Sequence, residues 1–123
     1  MSKRVLLVDD SSTALMMEQM VLSSKKQYEV MLAHDGQEGV EKASSAAPDL
    51  VLMDVVMPRM NGYMACREMR RNPALKQVPI ILVTTRGEEE CVEEGFQSGC
   101  SDYITKPINP HELLAMLKNY LGE

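Results

Sequence analysis

Five short apolar runs alternate with five segments of helical spacing along this chain, and no other property limits its fold so strongly. The runs are Arg4–Val8, Tyr28–Ala33, Asp49–Met53, Val78–Val83 and Ser101–Thr105, each of strand length. The helical segments are Ser11–Ser24, Gly36–Ala46, Gly62–Arg71, Glu88–Ser98 and Asn109–Leu121. Such alternation predicts parallel strands joined by right-handed crossovers, with helices on both faces of one doubly wound α/β sheet. The first, third and fourth runs are nearly all apolar, as central strands covered on both faces must be. YEVMLA carries Glu29 and suits an edge.

Punctuation agrees with this division. Ser11 or Ser12 can cap the first helix, Asn72-Pro73 stops the third, and Asn109-Pro110 starts the last, with Glu112 placed as the second half of a capping box. Within the first helix the spacing groups Leu15, Gln19 and Leu22, with Met16, Met20 and Ser23 beside them. The last helix is expected to bury Leu113, Leu114, Met116, Leu117, Tyr120 and Leu121. The eleven methionines read as flexible core filler.

Composition narrows the function. A chain of 123 residues, 45% hydrophobic, is the size of one domain, expected over 1–123 with no output domain beside it. Acids outnumber bases 18 to 13, so no basic face is available for phosphate and direct nucleic-acid binding is not expected. Cys66, Cys91 and Cys100 are odd in number and form no CxxC pair, which reads as reduced thiols in a cytoplasmic protein. The apolar stretch after Lys3-Arg4 is four residues, too short for a signal peptide or a membrane anchor.

Chemistry is expected at the carboxyl ends of the strands, where doubly wound sheets bind ligands. Asp9 and Asp10 follow the first run, Asp54 ends the third, Thr84 and Thr85 follow the fourth, and Lys106-Pro107 the fifth. Taken singly, each acid reads as a helix cap or a strand end. If the first and third strands are neighbours, their ends lie about 5 Å apart and three carboxylates meet. Raised pKa values or a bound divalent cation with Lys106 nearby would answer that repulsion. All-oxygen ligation without histidine or thiolate suits Mg²⁺ better than Zn²⁺.

The segments VLLVDDS, DLVLMDVVMPRMNG, PIILVTT and SGCSDYITKPI, in this order and spacing, resemble the receiver domain of two-component response regulators over essentially the whole chain. The resemblance implies a flavodoxin-like sheet of order 2-1-3-4-5 with five helices. It implies that Asp54 accepts a phosphoryl group from a histidine kinase or a histidine phosphotransfer protein. Asp9, Asp10, Asp54 and the main-chain carbonyl of Val56 would hold Mg²⁺, Lys106 and Thr84 would contact the phosphoryl oxygens, and Lys106-Pro107 would be cis. Thr84 and Tyr103 would act as the switch pair, signalling to a downstream protein target through the fourth helix, fifth strand and fifth helix, as in chemotaxis-type regulators. Such a protein is not an enzyme in the ordinary sense, although it catalyses its own phosphorylation and dephosphorylation.

Two departures stand out against that family. Thr85 takes a place often held by Ala or Gly, and Val56 and Arg86 offer no help to an attacking water, so slow autodephosphorylation is expected. The acid run Glu88–Glu90, with Glu93 and Glu94, reads as favourable charge at a helix start on a solvated face. Other uses of the fold fit less well. A haloacid-dehalogenase-type phosphatase needs an acid where Val56 stands, and a flavin binder would not place Asp9 and Asp10 against a phosphate. The remaining rival is a receiver fold used as a phosphorylation-independent interaction module.

Overall fold

The computed structural model of the protein describes residues 2–25, 27–85 and 97–122. Five parallel strands, β1 (Lys3–Val8), β2 (Tyr28–Ala33), β3 (Leu50–Asp54), β4 (Ile80–Thr84) and β5 (Asp102–Thr105), form one sheet in the order β2-β1-β3-β4-β5. Around it lie α1 (Ser12–Ser23), α2 (Gly36–Ala46), α3 (Gly62–Arg71), a 3₁₀ turn at Pro73–Leu75 and a C-terminal helix, Pro110–Leu121. The helix expected over Glu88–Ser98, with Arg86, Cys91 and the acid run, lies outside the described residues apart from its last two positions.

Side-chain alternation along the strands divides the core in two. Leu6, Val8, Val51, Met53 and Leu82 point to the face covered by α2 and α3, where Ala43, Ala65, Cys66 and Met69 meet them. Val5, Leu7, Leu50, Leu52, Ile81 and Val83 point to the other face, against Leu15 and Leu22 of α1 and Leu113 and Leu117 of the C-terminal helix. β1, β3 and β4 are thus buried on both sides, and β2 is an edge. Burial pushes the Cys66 and Cys100 thiols up, Cys100 to about 11, so both are inert core groups.

Caps set the helix starts. The side chains of Ser11, Asp35, Asn61 and Asn109 accept hydrogen bonds from the free amides of α1, α2, α3 and the C-terminal helix. Arg70, near the end of α3, donates to the carbonyls of Gly99 at 2.8 Å, Leu75 at 2.6 Å and Val78 at 2.7 Å, and to Ser101 Oγ at 3.2 Å. It ties the approach to β4 and the approach to β5 to one helix. Among the described residues no helix is long and apolar enough to cross a membrane.

One helix face differs from its expected reading. In α1 the buried positions are Leu15, Glu18 and Leu22, while Gln19 is exposed. Met16, Met17 and Met20 are 61 to 67% exposed, so these three are surface residues and not core filler. A step of three and then four residues from Leu15 passes through Glu18, and helical geometry places it inward despite its charge. In the C-terminal helix only Leu113 and Leu117 are fully buried, the other four expected residues being half-buried.

Candidate functional site

The carboxyl ends of β1, β3, β4 and β5 converge on a small acidic pocket. Parallel register brings this about: Val8 pairs with Met53 across β1 and β3, and Asp54 pairs with Val83 across β3 and β4. Asp9 follows β1 directly, its amide donating to the Ala33 carbonyl at 3.1 Å, and Asp54 is the last residue of β3. Both are buried, at 1% and 5% exposure, whereas Asp10 is exposed. One carboxylate oxygen from each of the three acids lies within 4.8 Å of the others.

Lys106 reaches into this cluster from the end of β5. Its amide donates to the Thr84 carbonyl at 2.8 Å, and its ammonium lies 2.8 Å from Asp54 Oδ1 and 3.7 Å from Asp9 Oδ2. The Lys106-Pro107 peptide bond is cis. Thr84 ends β4, buried, one residue beyond the partner of Asp54. Tyr103 is half-buried in β5, and Thr85 and Val56 are exposed at the rim of the same sheet edge.

The backbone after Asp54 is held tightly. The Val55 amide donates to the Val83 carbonyl at 3.0 Å, and the Gly62 amide to the Val55 carbonyl at 2.9 Å. A Cβ on Gly62 would stand 2.5 Å from the Asp54 carbonyl oxygen, so the start of α3 approaches the end of β3 as closely as only glycine allows. Asp54 is therefore clamped from both sides.

Electrostatics mark the pocket as unfinished. Burial raises the pKa values of Asp9 and Asp54, and neighbouring acids add to this against the opposing pull of Lys106. For Lys106 burial acts downward, but the hydrogen bond and charge of Asp54 more than offset it and the net shift is upward. Asp9 Oδ1 accepts from the Ser11 amide at 2.9 Å, while Asp9 Oδ2 is fully buried with no hydrogen-bond partner. An orphaned carboxylate oxygen inside a hard, all-oxygen set is the donor chemistry that suits a divalent cation such as Mg²⁺.

Sequence reasoning did not single out Glu18. It is 5% exposed on the inner face of α1, and its pKa is raised to about 8, first by burial and then by the charge of Asp9. The signal was its spacing from Leu15 and Leu22.

Comparison with known proteins decides the family. Residues 5–118 match the sequence profile of the response regulator receiver domain. The chain belongs to that family. This receiver is 37% identical over 119 residues to Protein PilH of Pseudomonas aeruginosa, covering 97% of this chain and 98% of PilH. Its fold matches that of the Vibrio cholerae chemotaxis protein CheY4 with a TM-score of 0.92 at 35% identity, covering 98% and 99% of the two chains. It also matches the receiver domain of the sensor histidine kinase PA1611 from Pseudomonas aeruginosa, with a TM-score of 0.91 at 32% identity over 100% of both chains. That structure has a magnesium ion coordinated in its active site cleft. The receiver spans 49% and 26% of the length of other curated relatives. Receiver domains of this kind are the phosphorylation-based switches of two-component signalling.

Proposed function

We propose that this receiver takes a phosphoryl group on Asp54, and the observation that carries the reading is the buried Asp54 carboxylate held 2.8 Å from the Lys106 ammonium among two further acids. One Asp54 oxygen attacks the phosphorus of a phosphohistidine, the P–N bond breaks, and the imidazole leaves with its electron pair and takes up a proton. The donor is a histidine kinase or a histidine phosphotransfer protein. Lys106 then exchanges its carboxylate partner for a phosphoryl oxygen, and the Thr84 hydroxyl donates to another. Asp9, Asp10, Asp54 and the Val56 carbonyl would hold Mg²⁺, which supplies positive charge where one anion meets another.

Output follows from the same displacement of charge. Thr84 moves toward the phosphoryl group and Tyr103 turns inward, so that the face carrying β5 and the C-terminal helix changes its fit to a downstream protein target. The protein is a switch that catalyses its own modification and slow hydrolysis, working in the cytoplasm without membrane insertion. Mass spectrometry after incubation with acetyl phosphate tests the reading. One added phosphoryl group, requiring Mg²⁺ and absent in Asp54→Asn, supports it; no addition to the intact protein overturns it in favour of a phosphorylation-independent interaction module.

A further inference from the structure

Beside the carboxylate cluster, a groove of about 470 Å³ opens between α1 and the loop that joins β5 to the C-terminal helix. Its walls include Ala14, Met17, Val21, Pro107 and Ile108, and the polar side chains in its lining are Glu18 and Lys106. The two are not equally available. Lys106 is committed to Asp54 and Asp9. Glu18 is 95% buried, since its exposure is 5%, and makes no hydrogen bond or salt bridge among the described residues. Its carboxyl lines the groove, and a largely buried polar group with no protein partner there is available to a ligand.

Volume and lining resemble those of small-molecule sites, which are roughly 300 to 1,000 Å³, largely apolar and fitted with few polar groups. Charge selects the kind of molecule. Asp9 on the end of β1 and Asp54 on β3 outnumber Lys106, so the field they set up at Glu18 favours a cation. We propose that this groove binds a small amphipathic amine, its apolar body against Met17, Val21 and Ile108 and its ammonium paired with Glu18.

Two properties follow. Glu18 holds its proton up to about pH 8, because it is buried and faces Asp9 and Asp54, with Lys106 pulling the other way. An arriving ammonium must displace that proton, so affinity rises as the pH passes from roughly 7 to roughly 8.5. Above about pH 8, where Glu18 has already lost its proton, bound amine adds positive charge beside the carboxylates, and so weakens Mg²⁺ binding as much as Mg²⁺ weakens amine binding. Only this second property rests on the phosphorylation-site reading.

Methyl-resolved NMR titration with phenethylamine, and with phenethyl alcohol as its neutral counterpart, tests the proposal. The expected result is a saturable shift of the Met17, Val21 and Ile108 methyls by the amine, about tenfold tighter than by the alcohol. Glu18→Gln should erase that tenfold preference, and Ala14→Leu, which fills the groove from α1, should abolish binding of both. Asp54→Asn should still bind the amine, which separates failure of the groove from failure of the phosphorylation site. No saturable shift, or an amine preference that survives in Glu18→Gln, overturns the proposal.

Discussion

The ammonium of Lys106 lies 2.8 Å from Asp54 Oδ1, and among the described residues it is the only cation paired with the acidic cluster. Removing it leaves three carboxylates facing one another. Lys106→Met is therefore expected to destabilise the metal-free protein by about 1–3 kcal/mol, and to bind Mg²⁺ several-fold more tightly because a competing cation is gone. Urea unfolding with and without MgCl₂ reads both effects. Equal Mg²⁺ affinity in the two proteins would show that Lys106 and the metal do not share a field.

Asp9 presents the reverse case. Its Oδ2 is buried with no hydrogen bond, the Lys106 ammonium standing 3.7 Å away, so the folded protein carries a desolvation cost and a repulsion that a neutral side chain would relieve. Asp9→Asn should raise metal-free stability by about 1 kcal/mol and lose the stabilisation that Mg²⁺ gives the parent protein. Thermal unfolding of both proteins across an MgCl₂ series is the measurement, and a Mg²⁺-dependent rise of equal size in Asp9→Asn would remove Asp9 from the ligand set.

Glu18 makes stability depend on pH. Its pKa is near 4.5 when unfolded and about 8 when folded, so between those values the folded state binds the extra proton. Stability is then fully present below about pH 4.5, falls as the pH rises, and levels off above about pH 8. The loss is on the order of a few kcal/mol. In Glu18→Gln this component is absent, and the variant should be the more stable protein at about pH 8.5. Parallel pH profiles for the two would show that Glu18 does not titrate in this window.

Gly62 controls the position of Asp54 through the backbone. A Cβ there would stand 2.5 Å from the Asp54 carbonyl oxygen, which neither chain segment can yield without shifting. Gly62→Ala should lower stability by about 1–3 kcal/mol and slow the proposed phosphorylation, since the clamp and Asp54 move together. An alanine variant with parent-like urea midpoint and phosphorylation rate would refute that link.

Val56 is 70% exposed at the mouth of the pocket and offers no group to orient an incoming water. The aspartyl phosphate is expected to persist for minutes to hours with Mg²⁺ present, and Val56→Asn to shorten that lifetime several-fold by supplying a hydrogen-bonding amide. Loss of phosphoprotein followed by mass spectrometry decides it; a lifetime of seconds in the parent protein runs against the expectation.

Much of this architecture is legible in the amino-acid sequence. Strand placement was legible because β1, β3 and β4 are buried on both faces, which demands uninterrupted apolar runs such as VLLV and LVLM. Convergence of Asp9, Asp54 and Lys106 was legible because parallel strands end at one edge, once the family resemblance supplied the strand order that makes the first and third strands neighbours. The register of α1 was not. Its amphipathic signal is weak because Met16, Met17 and Met20 face solvent while Glu18 faces inward, so polarity and burial point in opposite directions there. Nor could spacing show that Asp9 Oδ2 lacks a hydrogen bond, which depends on which of two oxygens meets the Ser11 amide.

Arg70 gives the molecule a mechanical asymmetry. Its guanidinium holds Gly99 and Ser101, Ser101 exchanges hydrogen bonds with Ile80, and Tyr120 donates to the Ser101 carbonyl, so the beginning of β5 is bolted to α3, β4 and the C-terminal helix together. The far end of β5 carries Lys106, whose ammonium must trade partners if Asp54 is modified. The strand is thus a short lever with a fixed fulcrum at Ser101 and a loaded tip at Lys106, and Tyr103 sits on the arm between them. With that fulcrum fixed and the arm paired to β4 from Asp102 to Thr105, the strand is braced against sliding when its tip is pulled.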